Sequence, residues 1–213
     1  MKRVIKRLFG EEFNNLLFMN LITAALCIPV VTIGPALLAL TGTLIKIMDD
    51  RCHIKRLKEY FATFKKKFWK GVLFELLIAV YGFIIVWCTS LAAELGDRGT
   101  VLALVAMIFG VLAAIISVVF GILLACTEMP FLQTLWNAVC ITMGRFPRAL
   151  LSALCVWGIL IIAYLFYPIS VVFLIIICIS MSAVLSLAAI WPALDALVLS
   201  CYEEEPEPEE HIS

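Results

Sequence analysis

Hydrophobic positions in this chain run in long unbroken stretches, without the alternation of a half-buried strand or the narrow stripe of a soluble helix. A bilayer core of about 30 Å needs roughly 20 apolar residues in a helix, and four stretches reach that length. Residues 71–92 hold one charge, Glu75, and residues 101–126 hold none. The apolar tract from Ala149 to Cys201 is too long for one crossing and is interrupted at Tyr167-Pro168 and Trp191-Pro192. Proline removes a backbone donor and disfavours helix in the residue before it, so this tract divides into two predicted spans, 149–166 and 168–190, joined by a tight turn. The expected fold is all-α: a polytopic helical membrane domain over residues 1–202, with four clear spans plus a broken N-terminal element, and a short tail over 203–213.

The N-terminal element covers residues 13–48, a predominantly apolar stretch of 36 residues that would measure roughly 54 Å as one helix. In its middle stands Pro29-Val30-Val31-Thr32-Ile33-Gly34-Pro35, where two prolines, a glycine and adjacent β-branched residues all weaken helix continuation. The segment either kinks within a single crossing or doubles back as a hairpin or re-entrant loop. Basic residues separate the alternatives, because short cytoplasmic loops are enriched in them. Four precede the element and nine lie between Lys46 and Lys70. A hairpin places 15 of the 16 basic residues on one side, a single crossing only 11, so the hairpin is the favoured reading. Both schemes put the C-terminus in the cytoplasm.

Two segments between the spans have amphipathic character. In residues 57–70, Leu57, Tyr60, Phe61, Phe64, Phe68 and Trp69 recur at helical intervals among Lys58, Lys65, Lys66, Lys67 and Lys70. This pattern predicts an interfacial helix with its aromatics at the headgroup boundary and its lysines on anionic lipid. The same face, with Phe61, Phe64, Lys65, Phe68 and Trp69, is the alternative docking surface for a cytoplasmic partner. The second segment, residues 128–148, places Phe131, Leu135, Ala138, Val139 and Thr142 along one stripe, with a stop at Gly144 and Pro147. It predicts a short cytoplasmic helix, either a connector or a packing surface in which Trp136, Asn137, Arg145 and Arg148 meet another subunit.

Composition sharpens this picture. The nonpolar share of 64% and the mean hydropathy of +1.09 exclude an ordinary soluble protein. The zero net charge conceals an asymmetry, because six glutamates crowd residues 203–213 and leave a surplus of six positive charges on residues 1–202. That composition predicts a solvated, disordered acidic tail. The first apolar region is too long for a secretory signal, and no repeat of fixed period is present.

Candidate chemistry is sparse. Glu75, Glu128 and Asp195 are the acids nearest to lipid, and they form no proton relay. The eight cysteines stand 14 to 38 residues apart with no CxxC pair, which reads as small hydrophobes in helices and not as a metal site. No HExxH, GxSxG, Walker A or Rossmann pattern occurs, so neither a cofactor nor an enzymatic activity is expected, and the basic residues read as lipid contacts, not nucleic-acid contacts.

Asn20, Pro29-Val30-Val31-Thr32-Ile33-Gly34-Pro35-Ala36 and Ala39-Leu40 together resemble the N-terminal signature of the YesL-like family of bacterial membrane proteins, with its Pro-x-x-Thr-x-Gly-Pro-Ala core. Phe61, Phe64, Lys65, Lys67, Phe68 and Gly71 resemble the same family's segment before its second span, and Asn137-Ala138 with Phe146-Pro147-Arg148 do so more loosely. The acidic tail departs from the family pattern. The resemblance implies a small protein of the bacterial cytoplasmic membrane, encoded beside carbohydrate ABC transporters and glycan-degrading enzymes. Its expected role is a non-enzymatic accessory subunit of an oligosaccharide importer, with the bilayer and the permease and ATPase subunits as partners. On that view Pro29, Thr32, Gly34, Pro35 and Ala36 form an architectural motif or a contact with a partner or oligosaccharide. The alternatives are a stand-alone transporter or channel, and a membrane sensor or regulator acting through the tail.

Overall fold

The computed structural model describes residues 13–48, 56–165 and 182–187, all of them helical apart from short connections. Helix α1 covers Phe13–Leu26, a 3-10 turn covers Val30–Thr32, and α2 covers Ile33–Met48. Helix α3 covers Arg56–Glu94, α4 Thr100–Cys126, α5 Phe131–Gly144 and α6 Phe146–Leu165.

The N-terminal element doubles back. The Tyr60 hydroxyl lies 3.0 Å from the Thr23 hydroxyl on α1 and 3.4 Å from the Ala36 carbonyl on α2. Thirteen residues of continuous helix would hold those two positions about 20 Å apart. Pro29 is extended at φ −74°, ψ 122° and opens the turn, and the Thr32 hydroxyl reaches the carbonyls of Leu26 and Pro29 at the end of α1. Helix α2 then runs antiparallel to the first half of α3: Lys46 meets Glu59 at 2.6 Å at one end, and Gly34 meets Glu75 at 3.0 Å at the other.

Helix α3 corrects the division made from the sequence. Residues 57–70 and 71–92 are one helix of 39 residues, roughly 58 Å long, so 57–70 continues into the span without a break and is not a helix of its own. Lysine is a good helix former, no proline intervenes, and Gly71 costs only about 1 kcal/mol relative to alanine in a helix interior. The change at Gly71 is a change of polarity, not of backbone.

Helix α4 returns along α3 after a turn in which Gly96 takes φ 56°, a conformation open to glycine at little cost. The Tyr81 hydroxyl donates to the Phe109 carbonyl midway, and the Phe74 and Phe120 rings meet edge-on at 5.5 Å near the far end. Phe120 also meets Phe131 of α5 at 5.1 Å. Around these rings lies a core built from Leu38, Leu40, Leu44, Tyr60, Leu123, Leu124 and Ile141. Helix α6 packs on α4, where the Trp157 indole donates to the Ala114 carbonyl at 3.4 Å.

Two helices, α3 and α4, are each long and apolar enough to cross a membrane, which makes this a membrane protein by its helices as well as by its composition. The expected span 149–166 corresponds to α6, which follows α5 through a bend of 108° at Arg145, so that the two helices form a broken span or a re-entrant pair. Among the described residues the candidate spans are therefore two, or three with the bent pair, and the four expected are shown only in part. The expected span 168–190 lies outside the described residues except for 182–187, as do the two proline breaks near its ends, Asp195 and the tail over 203–213.

Phe120 ties α3, α4 and α5 together. Phe120→Ala is expected to lower stability by about 3 kcal/mol, as for other buried Phe truncations. Phe109→Ala, at an exposed ring, serves as the control with a small effect. Denaturant titration of both variants in detergent measures the difference.

Candidate functional site

The residues with the most specific surroundings lie where α2, α3 and α4 meet. Tyr60, Thr63, Lys67, Gly71 and Phe74 form the buried stripe of α3, at helical spacings of three and four. Each does a different task. Tyr60 joins α1 to α2 through its hydroxyl, and Phe74 packs on Phe120.

Gly71 receives the N-terminus of α2. A methyl group on Gly71 would stand 2.6 Å from the Pro35 Cα, and one on Gly34 would fall on the Gly71 carbonyl. The two glycines thus let the backbones touch, as small residues do where helices pack closely in membranes. Beside this crossing the Glu75 carboxylate accepts from the Gly34 amide at 3.0 Å. The first amides of a helix lack internal partners and carry partial positive charge, so a carboxylate there is stabilising.

Lys67 does the converse at the end of α4. Its ammonium donates to the carbonyls of Ala125 at 2.6 Å, Leu124 at 2.8 Å and Thr127 at 3.2 Å. Three N–H groups meet three carbonyls at the negative end of a helix, which satisfies the donor and the unpaired carbonyls together. The Glu128 carboxylate stands 3.8 Å away and also pairs with Lys66 at 3.2 Å, while Lys70 donates to the carbonyls of Glu128 and Met129. Lys67 is almost fully buried, whereas Lys66 is largely exposed.

The residues singled out from the sequence divide accordingly. Gly34, Pro35 and Ala36 are buried in the α2–α3 crossing, Thr32 closes the turn, and Pro29 is exposed at its tip. Phe64 and Phe68 are half-buried with their rings 5.7 Å apart, and Phe64 packs on the core. Phe61, Lys65 and Trp69 face outward. On α5, Trp136 is 69% exposed, but its neighbour Asn137 turns inward and donates to the Met129 sulfur at 3.4 Å. Arg145 is half-buried, and Arg148 has one guanidinium nitrogen buried without a hydrogen-bond partner among the described residues. The motif at 29–36 and the α5 surface are therefore separate places and not one cluster.

The sequence pattern groups Lys67 with the lipid-facing lysines and places Glu75 only among the acids nearest to lipid. Their stripe with Tyr60 and Gly71, at positions i, i+4 and i+8 from Lys67, was the available signal. Among the described residues no three of His, Cys, Asp or Glu converge as metal ligands.

Residues 13–87 match the family model described as "Protein of unknown function, DUF624". The matched stretch contains both sides of the Gly34–Gly71 crossing, with Tyr60, Lys67 and Glu75. No curated protein and no solved structure matches the chain.

Two substitutions probe the crossing. Lys67→Met leaves buried carbonyls at the α4 terminus without a donor and is expected to cost about 3 kcal/mol, whereas Lys66→Met, which removes an exposed pair, costs less than about 1 kcal/mol. Gly71→Ala forces α2 away from α3 and is expected to lower the Tm in detergent despite alanine's better helix propensity; an unchanged or raised Tm contradicts the close-contact role.

Proposed function

We propose that this chain is a non-enzymatic accessory subunit of a bacterial oligosaccharide ABC importer, in the cytoplasmic membrane, with its lysine-rich end and its C-terminus in the cytoplasm. The proposal includes the YesL-like identity of the matched region, which the Pro-x-x-Thr-x-Gly-Pro-Ala core at 29–36 supports.

The observation that carries it is the outward face of α5. Leu132, Trp136, Cys140 and Met143 follow one another at helical spacing on the exposed side, while Thr134, Ala138, Ile141 and Thr142 face the core. A helix that is apolar on both faces has a second surface to cover. It begins two residues after Met129, whose carbonyl Lys70 holds, and ends at Arg145, so it lies at the basic end of the molecule. An exposed tryptophan on a helix that ends at an arginine has the composition of an interface anchor. In this reading the permeases supply the matching surface, the ATPase subunits supply the energy, and the oligosaccharide passes through the permeases.

Affinity purification of the full chain from its native membrane in mild detergent tests the assignment. Permease and ATPase subunits are expected in stoichiometric amount, and Trp136→Ser is expected to lower their recovery at least ten-fold, the change that a hot spot above about 1.4 kcal/mol produces. A chain that purifies alone, or partners retained in full by Trp136→Ser, overturns it.

A further inference from the structure

The turn between α1 and α2 presents an apolar surface with no cover. Ile28 is 81% exposed, Val30 71% and Val31 60%, with Pro29 also outward, and residues 13–45 contain no charge. For a segment in water this is the wrong composition at the wrong place, because exposed turns are normally polar.

The surrounding charges fix the depth of the tip. Lys66, Lys67, Lys70 and Glu128 gather at one level of α3 and α4, where the uncharged run of α4 ends, and Trp69 is 76% exposed at the same level. Lysine together with an outward tryptophan marks a headgroup layer. Gly34, at the start of α2, is held by Glu75, eight residues further along α3 than Lys67 and so about 12 Å toward the opposite end of the span. The opposite end of α2 is held at Lys46 and Glu59, two turns on the other side of Lys67. Helix α2 therefore passes through the level of the lysines, with its apolar tip on the hydrocarbon side and its charged end on the aqueous side. At 16 residues, or about 24 Å, and with about half of that length outside, it does not reach the far surface.

We propose that the α1–α2 hairpin is a re-entrant wedge, inserted from the lysine-rich side and ending at Ile28–Val31 among the acyl chains of that leaflet. Its occupant is phospholipid hydrocarbon and not a protein partner. Both ends of the hairpin then share one aqueous face, which brings Lys2, Arg3, Lys6 and Arg7 to the same side as Arg51 and Lys55. Part of the turn's backbone is paired internally, as hydrocarbon favours: the Thr32 amide and hydroxyl bond the Pro29 carbonyl, and the Cys27 and Ile28 amides bond the carbonyls of Thr23 and Ala25.

The test uses the full chain, purified and reconstituted alone in phospholipid vesicles, so that no other protein is present to shield the tip. A membrane-impermeant maleimide is applied from one side, and labelled sites are located by peptide mass spectrometry with the native cysteines retained. Cys52 is expected to label in the same vesicle orientation as Lys6→Cys. Val30→Cys is expected to label at least twenty-fold more slowly than Cys52 from either side, and a fluorophore attached there before reconstitution is expected to be quenched by lipids with spin labels on the acyl chain. Labelling of Val30→Cys from the face opposite Cys52 means that the hairpin crosses, and labelling at the rate of Cys52 means that the tip lies in water; either result overturns the proposal. If Val30→Cys does not fold, Val31→Cys carries the same test. The unsubstituted chain gives an independent reading, because an impermeant amine reagent must modify Lys2, Lys6 and Lys55 from one face only.

Discussion

A helix ending inside or beside a membrane leaves carbonyls that water does not reach, and this protein resolves that constraint with a single side chain. Lys67 places its three N–H groups on three carbonyls at the end of α4. Two turns along the same helix Glu75 accepts from the first turn of α2, and Gly71 stands midway between them. The positions i, i+4 and i+8 advance by only about 40° each around a helix, so base, gap and acid share one side of α3. The signs match the partial charges of the termini that they meet, positive on a C-terminus and negative on an N-terminus. One unbroken helix thereby dictates where two others start and stop. The exposed pairs Lys46–Glu59 and Lys66–Glu128 add little, because water competes for both partners.

Much of this arrangement was legible in the sequence at the level of elements. The runs 71–92 and 101–126 stand out because hydrocarbon demands them, and the break at 29–35 stands out because two prolines and a glycine leave few other conformations. Residues 57–70 were misread for an instructive reason. Polarity changes abruptly at Lys70-Gly71, but a helix ends when its hydrogen bonds are interrupted, and nothing there interrupts them. The lysine cluster misled in a similar way: Lys65, Lys66 and Lys67 are indistinguishable by composition, and only their angular position separates an exposed charge from a buried cap. Trp136 and Asn137 repeat the lesson, since adjacent residues on a helix face about 100° apart and only one of them can be at the surface.

The doubling back of the N-terminal element shows how weak and strong arguments combine. The distribution of basic residues favoured a return to the same side but rested on a statistical tendency of loops. The Tyr60 hydroxyl makes it geometric, because one atom within hydrogen-bonding reach of Thr23 and Ala36 is incompatible with a helix that merely bends between them. Tyr60 was not visible as a hub from sequence, where it counted as one aromatic of five in an interfacial stripe. Its partners come from positions 37 and 24 residues away, and no local pattern contains that information.

Beyond the long apolar sides of α3 and α4, the turn at Ile28–Val31 and the outer face of α5 also expose apolar side chains, and their chemistry separates their occupants. The tip at Ile28–Val31 is flanked by no charge over more than ten residues on either side and lies on the hydrocarbon side of the lysine level. Lipid covers such a surface without any need for specificity. The α5 face carries a tryptophan and ends at an arginine, and it follows directly upon the carbonyls that Lys70 holds, so its surroundings are mixed. An aromatic anchor with a cation at its margin gains from a partner of defined shape and opposite charge, which a fluid leaflet does not provide. The fold thus spends its close backbone packing and buried caps on holding α2 and α4 against α3, and leaves at its margins two faces of unlike chemistry.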